Sequence, residues 1–270
     1  MDDRPIGVFD SGLGGLTTVR ELCRLLPEED IVYFGDTGRV PYGSRSRETI
    51  VKYARQDVAF LRTFDLKAIV IACGTVSTTA LDVLAAENPI PVLGVVAPAA
   101  RAAARATRSG SIGLIGTQAS IRSGAYERLI RVENPAARVL AQPCPLFVPL
   151  VENGRFRPGD VVIETVAAEY LAPLKAAGVD TLVLGCTHYP LLEKVIGAYM
   201  GPEVRLINSG AEGARAAADC LRERDALAGP GRGSCRCFVS DRQEDFSRLA
   251  STFLGWDVAQ AVEQVDISQY

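Results

Sequence analysis

The sequence predicts an α/β protein of two similar lobes, each a mainly parallel sheet flanked by helices. Two observations lead there. Short, continuously apolar runs alternate with helical patterns almost throughout the 270 residues. Strands that are apolar on both faces and joined by helices belong to a parallel sheet covered on both sides. Two of these runs, 68–72 and 181–185, each end in a small residue followed by a cysteine, Cys73 and Cys186. The carboxyl ends of parallel strands are where open α/β sheets place their ligands.

Taken in order, the strand signals are 6–10, 31–35, 68–72, 92–96, 111–116, 139–142, 181–185, 204–208 and 237–241. The helical patterns are 16–26, 47–64, 77–86, 98–108, 120–130, 160–177, 191–199, 210–224 and 244–254. In the second helix Ile50, Ala54, Val58, Leu61 and Phe64 fall on one face, the spacing of a half-buried helix. The stretch 227–234, with Gly229-Pro230-Gly231-Arg232-Gly233, reads as a loop before the last strand. A faint repeat is present: Ile6-Gly7-Val8-Phe9-Asp10-Ser11 resembles Ile112-Gly113-Leu114-Ile115-Gly116-Thr117. The step from Gly7 to Gly113 nearly equals that from Cys73 to Cys186. Two similar lobes, each giving one cysteine to a shared cleft, would produce it, although parallel strands resemble one another in any α/β protein.

Composition narrows the class. Hydrophobic residues make up 48% and charged residues 23%, ordinary for a globular chain. The net charge is −3 and the sequence pI about 5.4, which argues against direct nucleic-acid binding through bulk charge; any basic site has to be local. Met1-Asp2-Asp3-Arg4-Pro5 lacks the basic region and apolar stretch of a secretory signal, and no apolar run approaches the ~18 residues of a membrane helix. The reading is a cytoplasmic protein with no membrane association. Seven cysteines in such a chain read as reduced thiols. With one histidine and only Cys235-Arg236-Cys237 as a close pair, buried thiols fit better than a zinc site.

Asp10-Ser11-Gly12-Leu13-Gly14-Gly15 follows the first strand and opens a helix. Its glycines miss the dinucleotide-binding spacing, and it has no Gly-Lys-Ser/Thr of a phosphate loop. It offers a carboxylate and a hydroxyl beside a glycine turn, or simply a helix cap. Gly35-Asp36-Thr37-Gly38-Arg39-Val40-Pro41-Tyr42-Gly43 is a loop after the second strand, placed either to line the same cleft or to turn at the surface. The two thiols admit several chemistries. One thiolate and one thiol across a carbon acid invert a stereocentre, with Asp10 and His188 as neighbours that tune them. A redox dithiol normally uses Cys-x-x-Cys, absent here. A cysteine hydrolase could use Cys186 with His188, the only imidazole, but leaves Cys73 without a part.

These residues together resemble the cofactor-independent aspartate/glutamate racemase superfamily, and its glutamate racemases in particular. The match runs nearly end to end. It rests on Ile6 through Gly15, on Tyr33-Phe34-Gly35-Asp36-Thr37 with Pro41-Tyr42-Gly43, on Ile71-Ala72-Cys73, and on Gly185-Cys186-Thr187-His188-Tyr189-Pro190-Leu191. Gly116-Thr117 with Ser123 and Tyr126, Cys144-Pro145, Val148-Pro149-Leu150-Val151-Glu152 and Asn208-Ser209 add support. The resemblance implies two pseudosymmetric lobes with the active site in the cleft between them. The first lobe would be 1–97 plus 209–270, and the second 98–208. It implies interconversion of L- and D-glutamate, without pyridoxal phosphate or a required metal, feeding peptidoglycan synthesis. Cys73 and Cys186 would exchange protons on opposite faces of the α-carbon, Asp10 assisting Cys73, and His188 with Glu152 assisting Cys186. Substrate contacts would come from Asp10, Ser11, Pro41, Tyr42, Gly43, Gly74, Thr75, Thr117, Ser120 and Thr187. Homodimers are common in the family, and some relatives are associated with inhibition of DNA gyrase. Two positions depart from the family's usual pattern: Gly74 stands where Asn is usual, removing a side-chain amide and opening the choice of substrate to aspartate or another amino acid; Ser120 stands where Thr is frequent and keeps the hydroxyl.

Overall fold

The structure, a computed structural model, describes residues 1–256 and 262–270. Its first segment lays down β1 (Ile6–Asp10), α1 (Leu16–Leu25), β2 (Ile31–Gly35), α2 (Arg47–Leu61), β3 (Ala68–Ile71), α3 (Gly74–Thr79), α4 (Leu81–Glu87) and β4 (Val92–Gly94). Next come α5 (Val96–Ala106), β5 (Ser111–Gly116), α6 (Gln118–Ser123), α7 (Ala125–Glu133), β6 (Arg138–Pro143), α8 (Phe147–Glu152), α9 (Val161–Ala176), β7 (Thr181–Leu184), α10 (Glu193–Met200) and β8 (Arg205–Asn208). The chain closes with α11 (Ser209–Glu223), β9 (Cys235–Val239), α12 (Gln243–Leu254) and β10 (Val262–Gln264).

The strands form two sheets, with orders β10-β9-β2-β1-β3-β4 and β6-β5-β7-β8, and every pairing is parallel. The repeat therefore has a physical counterpart: β2-β1-β3-β4 and β6-β5-β7-β8 correspond strand by strand. Cys73 follows β3, the neighbour of β1, and Cys186 follows β7, the neighbour of β5. The last strands return to the first sheet, where β9 pairs with β2.

Continuous apolarity is needed because both faces are covered. In β1, Val8 packs with Leu16, Val19 and Leu22 of α1, while the next residue, Phe9, packs on the other face with Val58 and Leu61 of α2. The helical stripe of α2 is buried at Ile50, Ala54, Val58 and Leu61, but the helix stops at Leu61 and Phe64 lies in the turn beyond.

Several elements depart from expectation for identifiable reasons. The single helix expected at 77–86 is two, α3 and α4. Thr78 Oγ1 donates to the Thr75 carbonyl at 2.9 Å and Thr79 Oγ1 to the same oxygen, and such side-chain bonds compete with the helical ladder. The helix expected at 120–130 breaks at Gly124, which has φ +62° and so adopts the left-handed conformation open to glycine. The last long strand runs from Cys235, two residues earlier than expected, because Ser234 N–H and Oγ–H both bond Asp30 Oδ1 and fix its start beside β2. No helix among the described residues is long and apolar enough to cross a membrane.

Candidate active site between the sheets

Asp10 ends β1 and is 1% exposed. It does not cap α1, whose first turn begins at Gly15 without a side-chain cap. Instead Asp10 Oδ2 accepts from the Gly12 amide at 2.9 Å, and Oδ1 accepts from Thr187 Oγ1 at 3.3 Å. Burial raises its pKa, opposed by His188 and by these donors. The turn that follows is held from below by Tyr33, whose hydroxyl donates to the Gly12 carbonyl at 2.7 Å. It is tied to the other sheet through Thr17 of α1, whose hydroxyl lies 2.9 Å from the Gly14 carbonyl and 3.0 Å from the Thr187 carbonyl. The glycines follow from this contact. A Cβ on Gly14 would lie 2.2 Å from Thr187 Oγ1 and 2.5 Å from His188 Nδ1. The glycine turn of the first sheet is thus the seat for the cysteine loop of the second.

Cys73 and Cys186 approach one cavity of about 370 Å³, a size ordinary for a small-molecule site (roughly 300–1,000 Å³). The junctions that carry them touch: a Cβ on Gly74 would lie 2.5 Å from the Gly185 carbonyl oxygen. That carbonyl occupies the direction a side chain at Gly74 would take. The Cys73 thiol donates to Ser11 Oγ at 3.5 Å, and burial together with the Asp10 charge pushes its pKa up to about 12. Cys186 Sγ lies 3.9 Å from His188 Nδ1, and His188 Nε2 lies 3.0 Å from Glu152 Oε1. Burial works against a charged imidazole, but the bonds to Cys186 and Glu152 outweigh it and raise His188 to about 10. The imidazolium then donates to both partners. Phe253 of α12 meets the His188 ring edge-on, with centroids 5.5 Å apart, and fixes its tilt.

Of the residues expected at the site, Ser11, Pro41, Tyr42, Gly43, Cys73, Gly74, Thr75, Thr117, Glu152, Cys186, Thr187 and His188 line this cavity. Asp10 and Ser120 lie behind its wall. Ser120 accepts from Thr117 Oγ1 at 3.0 Å, and Thr117 Oγ1 is also 3.0 Å from Thr75 Oγ1, so a hydroxyl chain crosses from one sheet's helix to the other's. Tyr42 is held by a buried cluster. Its hydroxyl bonds Asp36 and also Asp57 Oδ2 at 3.1 Å, while Arg39 bonds both carboxylates and Gln56. Burial and the Asp36 charge raise Asp57 well above the ordinary carboxylate value, opposed by Arg39 and the Tyr42 hydroxyl. The sequence reading missed this cluster, and also Thr17, Tyr33 and the wall formed by Cys144, Val148 and Pro149. Cys144-Pro145, just after β6, and Val148-Pro149, within α8, are the signal that could have found the wall.

Two parallel sheets whose cysteine-bearing strand ends meet at one cavity define the class of protein, and known proteins share that architecture. Residues 9–217 match the family described as Asp/Glu/Hydantoin racemase, and the chain belongs to that family. A glutamate racemase of Geobacter metallireducens is 49% identical over 256 residues, covering 94% of each chain. Among solved structures, the glutamate racemase isoform RacE1 of Bacillus anthracis superposes with a TM-score of 0.93 at 38% identity, covering 98% of each chain. The glutamate racemase of Francisella tularensis, in complex with D-glutamate, gives 0.92 at 38% identity over the whole of both chains.

Proposed function

We propose that this protein interconverts L- and D-glutamate by a two-base mechanism in which Cys73 and Cys186 serve opposite faces of the α-carbon. The observation that carries the reading is the pair of cysteines entering one cavity from two different sheets, each with its own polar partners. Its substrate assignment draws on the glutamate racemases to which the chain is similar. One thiolate takes the α-proton, breaking the C–H bond, and the opposite thiol delivers its proton to the other face, so the centre inverts and the two sulfurs exchange roles. No electrons change hands. By family analogy Cys73 receives the proton from D-glutamate and Cys186 from L-glutamate. Ser11 and the Asp10 charge set the proton affinity of Cys73; His188, held as an imidazolium against Glu152, sits beside Cys186 to donate a proton and take it back. Among the described residues the cavity wall contains no lysine or arginine, so the substrate's carboxylates would be held by donors such as Ser11, Thr75, Thr117 and Thr187. Asp10 and Ser120 act through Thr187 and Thr117.

On this reading the enzyme is cytoplasmic, supplies D-glutamate for peptidoglycan and works as a homodimer, with residues 1–97 and 209–270 as one lobe and 98–208 as the other. The test is α-deuterium wash-in with loss of optical rotation in deuterated buffer. Cys73→Ala and Cys186→Ala should each lower racemization in both directions by roughly 10²–10⁴-fold. Full activity in either variant would sink the mechanism, and faster turnover of aspartate than of glutamate would sink the substrate assignment.

A further inference from the structure

Beside the substrate cavity, beyond the contact of α3 with α6, lies a second cavity of about 540 Å³. Arg45 and Arg47 enter it from the start of α2, Arg122 from α6 and Arg128 from α7, so the guanidiniums come from helices of both sheets. Among the described residues Asp82 is the one carboxylate in its wall. Several arginines elsewhere on the surface, among them Arg55, Arg101, Arg155 and Arg236, reach a carboxylate. Among the described residues none of these four does, and only Arg128 has a side-chain hydrogen bond, to the Ser123 carbonyl at 2.7 Å. Four like charges gathered around one hollow repel one another, and in a chain of net charge −3 they are not a reflection of overall basicity. The substrate cavity makes no use of them, since none lines it.

We propose that this cavity binds a small phosphorylated molecule. Guanidinium is the group that matches phosphate oxygens in paired, charge-assisted hydrogen bonds, and four of them suit a ligand with more than one phosphate. The hollow has the size of a small-molecule site, not of an extended polymer track. Its occupant bridges α2 and α4 on one side to α6 and α7 on the other. The α3–α6 contact it straddles also carries Thr75 and Thr117, whose hydroxyls meet 3.0 Å apart at the substrate cavity.

The test is calorimetric titration of the full-length protein with pyrophosphate and, separately, with ATP, at constant ionic strength. It reads binding and is independent of whether the racemase assignment holds. Saturable binding of either probe is expected, with a Kd of about 1 mM or tighter, weakened at least about tenfold in the double variant Arg45→Gln/Arg122→Gln. Binding of both probes identifies the phosphates as the recognised group. Binding of ATP alone, lost in the variant, adds a nucleoside to a phosphate site. No saturable binding of either probe, or binding unchanged in the variant, overturns the proposal. So does displacement of the probe by glutamate, which would place it in the substrate cavity.

Discussion

Cys73 donates its thiol proton to Ser11 Oγ and is 4% exposed, so its proton affinity is set by its surroundings rather than by water. Burial and the charge of Asp10 hold the neutral thiol until about pH 12. A thiol raised in the folded chain favours the fold in its neutral form; that contribution is full below the ordinary thiol value, near 9, and is lost as pH rises through about 12. Only the thiolate is alkylated, and below the pKa its fraction grows about tenfold per pH unit. Labelling of Cys73 by iodoacetamide, followed by peptide mass spectrometry, should therefore rise about tenfold per unit between pH 7 and 9. A rate flat across that range would show that the thiolate forms far more easily than its burial dictates. Gly74 bears on the same point. A side chain there would meet the Gly185 carbonyl, so the glycine admits close contact between the two thiol-bearing junctions as well as removing an amide from the substrate's reach.

At the scale of elements, the turn between β1 and α1 decides where His188 sits. With a Cβ 2.2 Å from Thr187 Oγ1 and 2.5 Å from His188 Nδ1, Gly14→Ala must push the cysteine loop away. The expected cost is about 1–3 kcal/mol of stability, as for other overpacked sites. Racemization should fall at least tenfold, because His188 would lose its 3.0 Å bond to Glu152 and its approach to Cys186. Wild-type turnover in Gly14→Ala would mean that the imidazole's position does not matter. The strand ends that hold these residues were legible in the sequence, because continuous apolarity and a polar terminus follow directly from being covered on both faces. So were Asp10, Cys73, Cys186 and His188, each marked by its local pattern. What was not legible depends on distant partners. Tyr42 is anchored by Asp57 of α2, and Thr17 by the carbonyl of Thr187, and no local spacing announces either bond. Helix α8 has Pro149 in its middle, and β10 is three residues long with two exposed, so neither carries a periodic signal.

For the molecule as a whole, the two sheets act as one site only if their carboxyl ends stay aligned, and α11 is the element placed to align them. It starts on Asn208 at the end of β8, in the second sheet, and packs against α1, α5 and β4 before the chain returns to the first sheet. Its buried face includes Gly210, Ala211, Gly213, Ala214, Ala217 and Ala218, small enough for close approach along most of its length. A Cβ on Gly213 would lie 2.5 Å from Val95 Cγ1, and one on Gly210 would lie 2.6 Å from Thr18 Oγ1. The Val95 amide in turn donates to Ser77 Oγ of α3, which links the packing of α11 to the helix behind Cys73. Gly213→Val wedges this junction open from a position that lines no part of the substrate cavity. Stability should fall by about 1–3 kcal/mol, which for a chain of this size lowers Tm by several degrees. Racemization should fall with it, even at temperatures where the variant is fully folded, because the Cys73 and Cys186 junctions would no longer meet at Gly74 and Gly185. Arg215→Ala, on the exposed side of the same helix, should stay within about 0.5 kcal/mol of the parent and keep its activity. Thermal unfolding and initial rates on the two variants separate the cases. A destabilised Gly213→Val with undiminished turnover below its Tm would show that the sheets hold their alignment without α11.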